Sequence, residues 1–121
     1  MIQVNELRYW NLVYYKVQWN HRIIAPIYHI HSEMDMTHFE PIPLTPEILD
    51  SAGWVWNEEC KSYEKYPNGD VRMNLQFRES NGSYTMFNYV LKAMIFDKIY
   101  YLHQLQNLYW CLTGKELEIN L

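Results

Sequence analysis

By type and spacing, His29 and His31 are the residues of this sequence best placed to do chemistry. They lie two apart on a stretch that reads as a strand, so both would point to one face, and two imidazoles so placed can ligate zinc once a third donor folds back. His38, Glu33 and Asp35 are near enough in the chain to supply it. No motif fixes which of them would, and the plainer account is a histidine pair on the solvated side of an edge strand. His103 falls at the start of a C-terminal helix, where an imidazole serves first-turn groups or a neighbouring side chain rather than acting as a base. Glu58, Glu59 and Glu64 gather around a turn without the spacing that sets two carboxylates at a common centre. Cys60 and Cys111 are far apart with no ligand spacing, which reads as two reduced thiols, and Cys111 sits between Trp110 and Leu112 where a thiol is packing. GxSxG, P-loop and GxGxxG motifs are absent. The expectation is a chain that is not an enzyme and needs no cofactor, with His29, His31 and His38 as its only metal candidates.

What is left is recognition chemistry. Eleven tyrosines and five tryptophans are more polar-tipped rings than one core of 121 residues readily encloses. An adjacent pair such as Tyr14-Tyr15 must send one ring to each face of a strand, so some rings face outward. Exposed Tyr and Trp are what interfaces and stacking pockets use. Tyr14, Tyr15, Trp19, Tyr28, Trp56 and Trp110, together with Arg72 and Arg78, form the candidate binding set. The competing account is a large core whose rings keep their tips at water. Two uses follow from the set: a protein partner or a second copy held on the rings, or a small nucleotide-type ligand stacked between rings and cations such as Arg22, Arg72 and Arg78.

These residues need elements to hold them. Residues 11–19 are rich in β-branched and aromatic types and predict a strand, turned at Asn20-His21 into a second strand over 22–31 in which Pro26 marks an edge or bulge. Ser32 to Thr37 reads as a loop, and Thr37 to Glu40 as a short extended piece. Thr45-Pro46 is an N-cap followed by proline at N1, and Gly53 closes a short helix over Pro46 to Ala52, expected to cover the early strands, with Leu44 and Leu49 as a hydrophobic staple. Short strands are expected at Trp54 to Trp56 and Lys61 to Tyr66. Asn68-Gly69 is the strongest hairpin signal. After it, Val71, Met73, Leu75 and Phe77 alternate inward with Arg72, Asn74, Gln76 and Arg78 outward. Asn81-Gly82 turns into a strand over 83–90, and a last strand runs over 93–100.

The stretch that organises the chain is 102–113, where Leu102, Leu105, Leu108, Tyr109 and Leu112 predict the greasy face of an amphipathic helix that ends at Gly114. Here a resemblance enters. Residues 101–117, YLHQLQNLYWCLTGKEL, resemble the ending YVHQLQNLYFALTGEEL of a family of small phage and prophage proteins of Bacteroidota. Residues 39–49, FEPIPLTPEIL, resemble that family's FEPIPLTEEWL, and Gly53-Trp54 matches the glycine-aromatic pair that follows it. Residues 7–13, LRYWNLV, resemble LRIGNYV, with Trp10 where the family has glycine. The three blocks span most of the chain in order. The resemblance implies a mobile-element origin and a compact α+β domain, and it brings no activity with it.

Composition bounds these expectations. A chain of 121 residues that is 49% hydrophobic and 20% charged is globular and of one-domain length, residues 1–121. A net charge of -4 argues against a basic face for duplex nucleic acid. The start lacks the regions of a signal peptide, and no run reaches membrane-span length, so no membrane partner and a cytoplasmic location in a bacterial host are expected. The fold expected is α+β: one bent antiparallel sheet, with an SH3-like partial barrel as one form of its first half, a short middle helix and the C-terminal amphipathic helix. The function expected is that of a non-catalytic phage or mobile-element accessory protein. It would bind a host or phage protein, or itself, through exposed Tyr and Trp.

Overall fold

The computed structural model describes residues 8, 11–18, 21–26, 39–66, 72–88 and 93–120. Their order is β1 (Leu12–Gln18), β2 (His21–Pro26), β3 (Phe39–Glu40), α1 (Pro46–Ser51), β4 (Val55–Asn57), β5 (Ser62–Lys65), β6 (Met73–Arg78), β7 (Ser83–Asn88), β8 (Ala93–Ile99) and α2 (Leu102–Thr113). The class is α+β. The strands form two open antiparallel sheets rather than one bent sheet, and no closed barrel forms among the described residues. β1 is the centre of a three-stranded sheet in the order β2-β1-β3, and β4 to β8 follow one another as a five-stranded meander. Separation arises because β3 is only two residues long and spends both on β1, Tyr14 opposite Glu40 and Tyr15 opposite Phe39. The chain then crosses to the meander through 42–44, where Leu44 N–H donates to Tyr100 C=O and Leu102 N–H to Ile42 C=O.

Both helices end where local chemistry sets them. Thr45 is extended and its Oγ1 accepts from Ile48 N–H, and Pro46 opens α1. Gly114 takes φ 70 after α2, the left-handed position that a Cβ would strain, and its N–H donates to Trp110 C=O. The Gln104 side chain reaches back over the start of α2, its Oε1 accepting from Tyr100 and Tyr101 N–H at 2.9 and 3.1 Å. His103, expected to serve first-turn groups or a neighbouring side chain, is buried and stacked on the neighbouring Tyr101, with ring centroids 6.0 Å apart.

The core joins Leu49, Trp54, Met73, Leu75, Tyr84 and Met86 to Ile99, Leu102, Leu105 and Tyr109. Leu44 and Leu49, the staple pair, both belong to it. α1 is tied to the meander: Lys65 Nζ donates to Ala52 C=O at 3.0 Å, closing the helix's carbonyl end. Four expected orientations are corrected. The buried stripe of α2 is Leu102, Leu105, Gln106 and Tyr109 at i, i+3, i+4 and i+7; Leu112 lies only about 20° round from Leu105 at 3.6 residues per turn, yet is exposed at 41% because it stands in the last turn, past Tyr109, where the buried part of the helix ends. Leu108 falls at the margin and is half-buried. Gln106, expected outside, takes a stripe position because its Oε1 accepts from Leu12 N–H at 2.8 Å and ties β1 to the helix. Asn74, expected at water, is buried and donates through Nδ2 to Ser62 Oγ at 2.9 Å, while Phe77, expected inside, lies past the end of the core on β6. The loop at 32–37, the Asn68-Gly69 turn and Val71 lie outside the described residues. Around that turn β5 and β6 pair antiparallel as a hairpin requires, Lys65 opposite Met73. Among the described residues no helix is long and apolar enough to cross a membrane.

Candidate functional site

Residues opposite one another across antiparallel strands share a face. Trp56, Tyr63, Leu75 and Met86 therefore stand in one row of the meander, and Phe77 and Tyr84 in the next. Leu75, Met86 and Tyr84 are buried, while Trp56 and Phe77 remain 44% and 47% exposed. The rings are coupled in pairs: Trp56 meets Tyr63 edge-on with centroids 5.1 Å apart, and Phe77 tilts against Tyr84 at 5.2 Å. α1 borders them. Burial, and after it the carboxylates of Asp50 and Glu47, raises the Tyr63 phenol above its ordinary pKa; burial, then Tyr63 and Glu47, does the same to Tyr84. Neither Glu47 nor Asp50 forms an ion pair among the described residues, and both are exposed. Glu58 is committed, accepting from Trp56 Nε1 at 2.7 Å and pairing with Lys61. The result is an open aromatic strip beside two solvated carboxylates, a surface suited to an apolar or cationic partner group.

The opposite face of the meander carries a knitted polar network between the exposed Val55 and Met94. Arg72 Nη1 lies 3.4 Å from Glu64 Oε2, to which Asn57 Nδ2 also donates at 3.1 Å, and Arg72 Nη2 reaches Cys60 Sγ at 3.7 Å. Arg78 Nε donates to Thr85 Oγ1, and Thr85 donates in turn to Asp97 Oδ1 at 2.6 Å. That hydroxyl first, then the Lys98 N–H, holds the Asp97 carboxyl below the ordinary carboxylate range. Arg72 and Arg78 are thus bound on the face away from Trp56 and do not form one site with it.

Trp110 belongs to a second place. A cleft of about 520 Å³, within the usual range for small-ligand sites, opens between the end of β5 and the C-terminal turns of α2. Its aromatic lining is Tyr66, Tyr109 and Trp110. Lys65, Lys115, Glu116 and Glu118 supply its charge. The Arg8 guanidinium lies 5.0 Å from the Trp110 ring centre, paired to the Glu116 carboxylate through two nitrogens and donating to Asn107 Oδ1 at 3.2 Å. Tyr109 is buried, and burial, then Glu118, keeps its phenol protonated above the ordinary range.

Of the other candidate binding residues, Tyr14 is half-buried against the core, whereas Tyr15 is exposed and rests on Phe39 at 5.4 Å. The pair splits across the strand as its adjacency demands. Trp19, Tyr28, His29, His31 and His38 lie outside the described residues, and among the described residues no three metal donors gather. Cys60 and Cys111 are free thiols, and Cys111 is exposed rather than packed. Phe77, Tyr63, Lys65, Tyr66 and Lys115 were not nominated. Strand register alone could have signalled Phe77 beside Tyr84, and no local signal links Lys65 to Lys115. Comparison of the chain with models of protein families, with curated proteins and with solved structures finds no match.

Proposed function

We propose that this chain is a non-catalytic accessory protein of a phage or other mobile element, acting in the bacterial host's cytoplasm by binding a protein partner. The observation that carries the reading is the pair of open rings, Trp56 and Phe77, each braced by a tyrosine and flanked by the carboxylates of α1. Large rings at a surface cost solvation unless something covers them, and braced rings lose little side-chain entropy when it does. The blocks at 7–13, 39–49 and 101–117 support the mobile-element origin. A host or phage protein and a second copy of the chain are both admissible occupants, and light scattering after size exclusion separates them. A concentration-dependent dimer that Trp56→Ser with Phe77→Ser turns into monomer identifies the second copy. A wild-type monomer that retains a partner from host or phage lysate, and loses it with those two substitutions, identifies a foreign protein. If the substitutions alter neither mass nor partner recovery, the strip is not the binding surface.

A further inference from the structure

We propose that the cleft between β5 and α2 binds a nucleoside monophosphate, with the base against Tyr66 and Trp110, the sugar hydroxyls at Glu118 and the phosphate at Lys65 and Lys115. This goes beyond the partner surface and stands on different residues. The two rings are the first ground. Tyr66 and Trp110 are 50% and 41% exposed, and Trp110 is braced by the Arg8 guanidinium, which lies over its ring. Arg8 is itself fixed by Glu116 and Asn107. An open ring braced from one side is a wall prepared for a flat ligand, because stacking on it costs little further order, and the exposed Tyr66 ring faces the same cleft.

Charge is the second ground. With Glu116 engaged by Arg8, the cleft offers two ammonium groups against the single carboxylate of Glu118. Lys65 uses one donor on Ala52 C=O and keeps two, and Lys115 is exposed. An anionic group therefore finds donors on both sides of the cleft, and Glu118 is an acceptor for hydroxyls of the kind a ribose presents. The volume, about 520 Å³, accommodates one such molecule.

Titration calorimetry at low salt tests it with AMP, GMP, CMP and UMP, and with adenosine and inorganic phosphate as halves of the ligand. At least one nucleotide is expected to bind saturably with one site per chain, and adenosine and phosphate each about tenfold or more weaker, as loss of either the charged or the stacked half implies. Trp110→Leu and Lys115→Gln should each weaken that nucleotide by about tenfold, while Trp56→Ser leaves it unchanged. Lys115→Gln changes an exposed side chain, so its result does not depend on how the Trp110 variant folds. Absence of saturable binding by all four nucleotides overturns the proposal, as does binding that survives Lys115→Gln intact or adenosine binding as tightly as AMP.

Discussion

Arg8 does more than any other described side chain to join distant parts of the sequence. Its guanidinium engages Glu116, Asn107 Oδ1 and Gln106 C=O, and its backbone N–H donates to Asn11 Oδ1 at 2.7 Å. Asn11, fully buried, passes the connection on through Nδ2 to Asn107 at 2.8 Å. The pair with Glu116 is partly open to solvent, 25% and 35% exposed at the side chains, so its Coulomb part is screened while the geometry and the stacked Trp110 ring add to it. Arg8→Ala should lower stability by about 1–2 kcal/mol, read as a shift of the urea midpoint without a change of slope. Combined with Glu116→Ala it should lose less than the sum of the two single changes; strict additivity would show that the pair is only a crystal-like surface contact without energetic weight. Nothing local in the sequence announces this. Arg8 lies in a block that carries the family resemblance, but a pairing across 108 positions follows no periodicity or cap rule.

At the scale of elements, what the sequence reveals is what short-range physics controls. Thr45-Pro46 and Gly114 bound the two helices where caps demand, and the alternation after the hairpin places Met73 and Leu75 in the core. The failures are cooperative in origin. The stripe of α2 turns toward Gln106 because an amide is needed to receive the Leu12 N–H, a requirement visible only once β1 lies beside the helix. Asn74 is buried because Ser62, on the neighbouring strand, accepts from it. Phe77 is left out because the buried cluster on β6 stops at Leu75, and no count of apolar residues measures that reach. Trp56 was found by type alone, whereas Phe77, its companion on the open strip, needed register. The caps give an element-scale prediction. Gly114→Ala forces a Cβ into φ 70 with open space around it, so only backbone strain is added, and a loss of about 1 kcal/mol is expected in denaturant unfolding. Gly53→Ala should cost more, because at φ 81 its new Cβ would also stand 2.7 Å from Lys65 Nζ and displace the ammonium from Ala52 C=O. Equal losses at the two glycines would show that the Lys65 contact contributes nothing.

Over the whole molecule, three tyrosines report on how the layers depend on one another. Tyr63 lies on β5, Tyr84 on β7 and Tyr109 on α2, and Tyr63 packs against the core that the other two help to form. In each, burial is the largest cause of a phenol pKa raised above 10.0, with the charges of Asp50 and Glu47, of Tyr63 and Glu47, and of Glu118 adding to it in turn. Below pH 10 the phenols are protonated in folded and unfolded chains alike, and their contribution to stability is complete. Above it the unfolded chain releases these protons first, so it binds fewer than the folded chain and stability falls with pH until the folded phenols ionise as well. Because the three rings share one core, ionising one of them should loosen the others, and phenolate absorbance should rise together with loss of the fold rather than in separate steps. Tyr84→Phe keeps the ring and removes the most deeply set of the hydroxyls on the sheet. The variant should keep near wild-type stability at neutral pH and lose less of it on the alkaline side, as followed by urea midpoints taken across that range. An alkaline slope unchanged by the substitution would mean that the Tyr84 hydroxyl titrates alike in both states, and that the meander's inner face is wetter than its packing against α1 and α2 requires.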